Sequence, residues 1–308
     1  VLICANPYSG SGPNRRHVEG LADALSKRGL EPRLVWDVRE RRALLADAAL
    51  CSDYRCVVVA GGDGSIQAVV NELGEAGRLD ISSAAPGLAF ATLPMGNENL
   101  FAGHFGFTRD VVRLASAIQA GRTRQVDLGR ITHGAGDEGT LFTLMAGIGF
   151  DAEVVHRMDR WRVSGSGLRR VRRASYLPRV VSSLRGYGYP GLTVDVDGRE
   201  LVGAHLLVFN LPCYGGGLRI APRGCRSDDG LLDWVLFEKP GRLSLLSSAW
   251  RVLRGRHLEG AGVRYGRASR VGVRAAGSAP VQADGDPAGR VPVEVRVEDR
   301  QKLGLLIT

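Results

Sequence analysis

The chain has 308 residues, 44% hydrophobic and 24% charged, an ordinary globular composition that can build one large core or, as the length favours, two. No run reaches the roughly 18 apolar residues of a membrane-spanning helix. The formal charge is +9, lysine occurs only at 27, 239 and 302, and this arginine excess points to an anionic partner: acidic lipid, nucleic acid or a phosphorylated substrate. Residues 1–5 read as a strand and lead into the small-residue loop Asn6-Pro7-Tyr8-Ser9-Gly10-Ser11-Gly12-Pro13. A helix follows, with Val18, Leu21, Ala22 and Leu25 on one face and Gly29 as its stop. Residues 34–36 are a short strand and 39–50 an Ala/Leu/Arg-rich helix. Residues 55–60, apolar and β-branched, read as a buried strand. Gly61-Gly62-Asp63-Gly64-Ser65 comes next, then a helix in which Ile66, Val69, Val70 and Leu73 recur at helical spacing. Residues 87–93 are a fourth strand, entering Pro94-Met95-Gly96-Asn97-Glu98-Asn99-Leu100-Phe101, and a helix over 111–120 ends at Gly121.

This alternation through about residue 123 predicts a parallel sheet with helices on both faces. Right-handed crossovers place its three polar loops at one edge, converging on a single crevice. Beyond it the pattern changes to short strands at 126–131, 140–146, 192–196, 201–209, 232–237, 271–275, 293–297 and 303–307. Asp197-Gly198 predicts a tight hairpin, and this half reads as an antiparallel sandwich or barrel. The exception is 151–185, read as helix with loops. Within it, residues 157–185 hold nine arginines against Asp159, a local charge of +8.

The glycine loop is the sharpest chemical signal. Its glycines let the backbone approach a bulky anion, and N–H groups at a helix start attract negative charge. Asp63 is out of place there, because phosphate repels a carboxylate unless a metal or a proton stands between them. Asp63 is therefore expected to hold Mg²⁺ or a substrate proton beside a phosphate. A tight strand–helix turn with a solvated aspartate explains the same five residues. The cysteines, at 4, 51, 56, 213 and 225, are odd in number and lack metal spacing, which reads as buried free thiols in a reducing compartment. No signal peptide is visible, and a trimmed N-terminus is compatible with a chain opening directly into a strand.

Seven motifs occur in order: Asn6-Pro7-x-Ser9-Gly10; the glycine loop; Pro94 to Asn99; Gly147-Ile148-Gly149-Phe150-Asp151; Asn210 with Gly215-Gly216-Gly217 and Pro222; Asp229-Gly230-Leu231-Leu232-Asp233; and Asp284-Gly285-Asp286-Pro287. Together they resemble the diacylglycerol kinase catalytic family, in particular its soluble bacterial lipid kinases, which are related to sphingosine kinases and more distantly to NAD kinases. The resemblance implies an α/β ATP-binding domain over 1–123 and a β-rich lipid or acceptor domain over 124–308. It implies a basic helical insertion at about 151–185, a C-terminal segment that is a candidate to pack back on the first domain, and a site in the cleft between the domains. It implies ATP contacts at Asn6, Ser9, Gly10, Gly61 to Ser65, Gln67, Gly96 and Asn97, with Asp63 linked to Mg²⁺–ATP. Asp286 takes the position of the proton acceptor for the lipid hydroxyl, although Asp-Gly is also simply a hairpin turn. A structural Mg²⁺ is expected on the Asp229 side chain and the backbone oxygens of Arg226 and Leu231, against a solvated turn as the plain alternative.

Four positions depart from the family pattern: Asn97 where Thr is common, Leu100 where Asp is common, Asp286 where Glu is usual, and Val35 where Thr often contacts the nucleotide. The expected activity is phosphorylation of diacylglycerol or a related lipid. The competing readings are an NAD kinase-like enzyme and a non-catalytic nucleotide- or lipid-binding homologue. The arginine segment, with Trp161, Leu168, Val171, Tyr176 and Leu177 interleaved, is expected to lie on an anionic membrane surface, or else to be a solvated face. Nucleic acid is not expected, because no base-stacking motif accompanies the charge. The implied location is cytoplasmic and peripheral to the membrane, with a homodimer left open.

Overall fold

Apolar runs without polar alternation make strands covered on both faces, and the first half of the chain is built on them. The computed structural model describes residues 1–6, 14–81, 88–164 and 173–308. In chain order the elements are β1 (Leu2–Ala5), α1 (Asn14–Ser26), β2 (Arg33–Val35), α2 (Val38–Ala46), α3 (Leu50–Asp53), β3 (Cys56–Gly61), α4 (Asp63–Glu75), β4 (Ala89–Pro94), α5 (Leu100–Phe105), α6 (Val111–Ala120) and β5 (Thr123–Val126). There follow β6 (Gly129–Thr132), β7 (Thr140–Phe142), β8 (Met145–Ile148), α7 (Phe150–Val163), α8 (Arg173–Gly186), β9 (Leu192–Val196), β10 (Arg199–Gly203), β11 (His205–Phe209) and β12 (Leu232–Phe237). The chain closes with α9 (Arg242–Leu253), β13 (Val263–Ala268), β14 (Arg270–Ala275), β15 (Pro280–Ala283), β16 (Asp286–Arg290), β17 (Val293–Val297) and β18 (Leu303–Leu306).

Two units result: Val1–Leu128 with Glu298–Thr308, and Gly129–Val297. The first holds a sheet in the order β2-β1-β3-β4-β18-β5. Every pair in it is parallel except β18 with β5. All residues of β1, β3 and β4 are buried. The helices lay apolar stripes inward, as with Ile66, Val69, Val70 and Leu73 of α4. Asp37 and Asp110 cap α2 and α6 by accepting two backbone N–H groups each, and Gly121, at φ 67°, ends α6. This unit extends past residue 123 because β5 pairs with β18. Lys302 Nζ, 2.7 Å from the buried Asp127 Oδ1, fastens the C-terminal strand where β5 ends.

The second unit is a sandwich of two six-stranded antiparallel sheets, β10-β9-β14-β17-β6-β7 and β13-β12-β11-β8-β15-β16. Their buried faces share one core, with Ile131, Val194, Val271 and Val295 from one sheet and Ile148, Val208, Trp234 and Val281 from the other. Three of the predicted strands, 126–131, 140–146 and 201–209, each divide in two, and α9, β13, β15 and β16 occupy sequence where no element was expected. Asp197-Gly198 is the expected two-residue hairpin, with φ of 47° and 88° between the paired Val196 and Arg199.

Asp284-Gly285 forms a second such hairpin, with φ of 49° and 90°. The Asp284 carboxylate reaches back to the β7–β8 connection. It accepts the N–H groups of Thr143, Leu144 and Met145 at 2.7, 2.8 and 2.9 Å and the Thr143 hydroxyl at 2.8 Å. Burial pushes its pKa up to about 6 even against these four donors. Replacing Asp284 with Ala strands three backbone donors, and denaturant unfolding is expected to show a loss of about 3–5 kcal/mol.

Candidate functional site

The first unit brings its loops together at the carboxyl ends of β1, β3 and β4, where parallel sheets hold ligands. Gly61 is the last residue of β3, Gly62 is the N-cap of α4, and Asp63 to Gln67 form that helix's opening. Gln67 is buried. Gly62 packs directly on Gly96: a Cβ on Gly96 would lie 2.6 Å from the Gly62 Cα, and one on Gly62 would lie 2.9 Å from the Gly96 Cα. The Asn6 side chain donates to Ser65 Oγ at 2.9 Å, joining the first loop to the second. Asn97 is exposed in the third loop. Ser9 and Gly10 lie outside the described residues.

Asp63 is more than a loop aspartate. Its Oδ2 accepts the Leu100 N–H and its Oδ1 the Phe101 N–H, both at 3.0 Å, so it covers the first amides of α5. Burial raises its pKa, those amides lower it, and Glu98 raises it. Each oxygen retains a lone pair, so one bond to a nucleotide-borne Mg²⁺ fits beside the two hydrogen bonds. Asn99, at the N-cap of α5, takes a left-handed conformation with φ 53°. Its amide accepts the Gly96 N–H at 2.7 Å and donates to the Gly96 carbonyl at 2.9 Å. The sequence reading placed Asn99 in a motif but gave it no role, although Asn is a residue type that tolerates this conformation.

In the second unit Asp286 opens β16, directly after the hairpin that Asp284 clamps. Burial raises the Asp286 pKa, Arg162 of α7 lowers it and Asp159 raises it. Behind the turn stands a half-buried relay. Gln282 Oε1 accepts the Gly285 N–H at 2.8 Å, and Gln282 Nε2 donates to Asp151 Oδ2 at 2.9 Å. The Tyr214 hydroxyl donates to Asp151 Oδ1. Gly147 leaves the room: a Cβ there would lie 2.7 Å from Gln282 Nε2. Burial raises the Asp151 pKa. Asp151 stood in a quoted motif, but its partners are 63 and 131 residues away, which no local pattern reveals.

The residues around Asp229 do not fit the structural Mg²⁺ expected with Arg226 and Leu231. The Asp229 Oδ2 is paired with the Arg267 guanidinium, and Oδ1 accepts the Leu231 N–H at 3.2 Å. Arg226 turns to Asp228 at 2.9 Å. Arg267 also stands 4.0 Å from Asp233, its cross-strand partner in β12 and a buried carboxylate. A divalent cation on Asp229 would be repelled by this guanidinium. Among the described residues no group of three or more His, Cys, Asp or Glu side chains could hold a metal. Asp229 precedes β12, one strand in from the β13 edge of the sheet, whereas Asp286 opens β16 at the other edge.

Comparison with known proteins agrees with both halves. The diacylglycerol kinase catalytic domain family matches residues 1–131, and the YegS C-terminal NAD kinase beta sandwich-like domain matches 145–305. A diacylglycerol kinase of Bacillus subtilis is 25% identical over 296 residues, covering 95% of this chain and 91% of that protein. One from Staphylococcus carnosus is 24% identical, covering 94% and 89%. A solved diacylglycerol kinase of Bacillus anthracis superposes with a TM-score of 0.66 at 15% identity, covering 100% of this chain and 96% of the other. Yeast NADH kinase in complex with NADH does so with a TM-score of 0.53 at 11% identity, covering 100% and 83%. The chain belongs to the diacylglycerol kinase catalytic family and has the β-sandwich second domain of its YegS-type members.

Because Arg267 supplies the positive charge at Asp229, a chelator is expected to leave the thermal midpoint unchanged. Arg267→Met is expected to lower stability by about 1–2 kcal/mol, since the guanidinium is partly exposed and the two carboxylates lose their counter-charge. Thermal and denaturant melts check both outcomes.

Proposed function

We propose that the protein is an ATP-dependent lipid kinase that transfers the γ-phosphoryl group to a hydroxyl of diacylglycerol or a related lipid. The reading is carried by the three-loop junction of the first unit, in which Gly62 packs on Gly96, Asn6 bonds Ser65 and Asp63 covers the start of α5. Backbone this close, at an uncapped helix start, suits the phosphates of a nucleotide. Bound Mg²⁺ supplies charge neutralisation on those phosphates. Asp63 would hold it while keeping α5 in place. Gly61 to Ser65, with Asn6, Gln67, Gly96 and Asn97, line the nucleotide's side of the reaction in this reading.

In the second unit Asp286 acts as proton acceptor. The acceptor hydroxyl oxygen bonds to the γ-phosphorus, the bond to the β–γ bridging oxygen breaks, ADP leaves, and the hydroxyl proton passes to the Asp286 carboxylate. The Asp151–Gln282–Gly285 relay fixes the turn from which Asp286 projects. Asp286 reaches one methylene less than the glutamate usual at this position, so the relay sets where its carboxylate stands. The enzyme works in the cytoplasm at a membrane surface. The free thiols of Cys4, Cys56, Cys213 and Cys225 are consistent with a reducing compartment, and the arginine-rich segment at 157–185 contributes to the membrane contact. Within that segment Arg169, Arg170, Arg172, Leu168 and Val171 lie outside the described residues.

Labelled ATP with a total lipid extract, purified diacylglycerol and NAD as separate acceptors tests the reading. Lipid product is expected, and product on NAD alone would assign the enzyme to the nucleotide kinases. Asp286→Asn is expected to slow turnover by about 10²–10⁴ with the melting temperature unchanged. Asp63→Asn is expected to lose activity and, as a weakened cap, about 1 kcal/mol of stability. Wild-type rates in both variants would overturn the assignment.

The pH dependence follows from the environment of Asp286. A proton acceptor works ionised, so activity rises with pH through its pKa. Burial places that acid limb above the ordinary carboxylate pKa of about 3.9. Arg162 lowers the pKa, so Arg162→Gln is expected to move the limb of kcat/KM to higher pH, and Asp159→Asn to lower pH. A limb that stays put in both variants would remove Asp286 from the base role.

A further inference from the structure

The second unit carries a helix that no catalytic role accounts for. No residue of α9 is buried. Leu243, Leu246, Trp250 and Leu253 are 84, 53, 56 and 66% exposed. Their spacing of three, four and three residues places them on one face of the helix. Leu245 and Val252, on the opposite face, are half-buried. A helix normally turns its apolar stripe toward a core, so a ridge of four large side chains turned outward calls for an occupant.

The charge around the ridge chooses the occupant. From residue 238 to 259 the chain carries Lys239, Arg242, Arg251, Arg254 and Arg256 against two acids, Glu238, which pairs with Arg264, and Glu259, which stands 3.2 Å from Arg256. The Arg254 guanidinium carbon lies 4.4 Å from the centroid of the Trp250 ring, an indole and a cation paired at the helix end. A second copy of the chain, meeting this face about a two-fold axis, would set these cations against their own counterparts. An anionic bilayer takes both features at once. Leucine and tryptophan enter the boundary between headgroups and acyl chains, and the flanking cations meet lipid phosphates. Arg242 Nη2 donates to the Arg185 carbonyl at 2.6 Å, fastening the start of α9 to the end of α8. There Leu177 and Val181, one turn apart, are also exposed.

We propose that α9 is a membrane-docking helix whose Leu243–Leu246–Trp250–Leu253 ridge seats in the interfacial layer of an anionic bilayer. This deepens the membrane part of the proposed function, and vesicle binding is read without phosphoryl transfer, so the docking and kinase readings fail separately. The test is sedimentation of the full chain with vesicles of mixed phosphatidylcholine and phosphatidylglycerol, and with phosphatidylcholine alone. The combined variant Leu243→Ser, Leu246→Ser, Trp250→Ser is compared with Val202→Ser, Tyr265→Ser, which removes exposed apolar side chains elsewhere on the same unit. Equal melting temperatures establish that both variants fold.

The wild type and the control variant are expected to bind mixed vesicles and to prefer them over neutral ones. The α9 variant is expected to bind at least about tenfold more weakly. Wild-type binding by the α9 variant, absence of wild-type binding to anionic vesicles, or equal loss in the control overturns the proposal. A solution dimer of the wild type that the α9 variant turns into monomer also overturns it and assigns the ridge to a second copy.

Discussion

The first unit depends on the contact of two backbones. β3 and β4 are parallel neighbours in register, Gly61 opposite Pro94, so the loops that leave them start side by side. Gly62 and Gly96 then meet at a separation that admits no Cβ on either. That approach brings Asp63, the first residue of α4, within reach of the first amides of α5. Two helix starts of like polarity converge there and are treated differently. The amides of α5 receive a carboxylate, while α4 has only a glycine at its N-cap and no side chain to offer its own. The strained left-handed Asn99 completes the junction by bonding Gly96 in both directions. The close loops, the acid and the glycine-capped start of α4 are thus one solution, and removing any part alters the rest.

A similar division of labour separates two aspartates two residues apart. Asp284 is saturated by four donors, and its role is to bind the hairpin to the β7–β8 connection. A carboxylate so engaged is a poor partner for a substrate. Asp286 lies beyond the turn, where charged side chains of α7 act on it from opposite directions, Arg162 lowering its pKa and Asp159 raising it. One acid therefore anchors the turn and the next is presented by it. The turn reading of Asp-Gly is met by Asp284 and Gly285, which leaves Asp286 beyond the turn for the role proposed above.

The parallel sheet was legible because its strands are uniformly apolar and its helices periodic, and both signals are local. The three loops followed from that order. The second unit was legible as β-rich but not strand by strand. The split of β10 from β11 occurs at Ala204, between Gly203 and His205, a break in the apolar run too short to mark two strands by itself. α9 escaped because its apolar residues face outward, so the usual link between helical periodicity and a buried face gave no guidance. The counter-charge of Asp229 was not legible for a different reason: Arg267 comes from a strand 38 residues later. Pairing of this kind is set by β12–β13 register, and the sequence near Asp229 carries no trace of it.

The arginine excess also reads differently once partners are assigned. The window 157–185 sums to +8, yet Glu153, four residues before it, pairs with Arg157 at 2.6 Å and lies 3.7 Å from Arg160. Arg179 stacks on Trp161, its guanidinium carbon 4.2 Å from the ring centroid. Arg41 and Arg42 are similarly spent on Glu72, and Arg267 on Asp229. Many of the arginines thus serve as internal counter-ions, in one place where a metal was expected. A surface that attracts lipid by charge alone loses its hold within a Debye length as salt rises. A ridge that inserts apolar area retains most of its hold under the same change. Of the two helical surfaces available, the one with fewer cations and more exposed leucine is therefore better suited to staying on a bilayer, with arginines that orient it rather than carry the attachment.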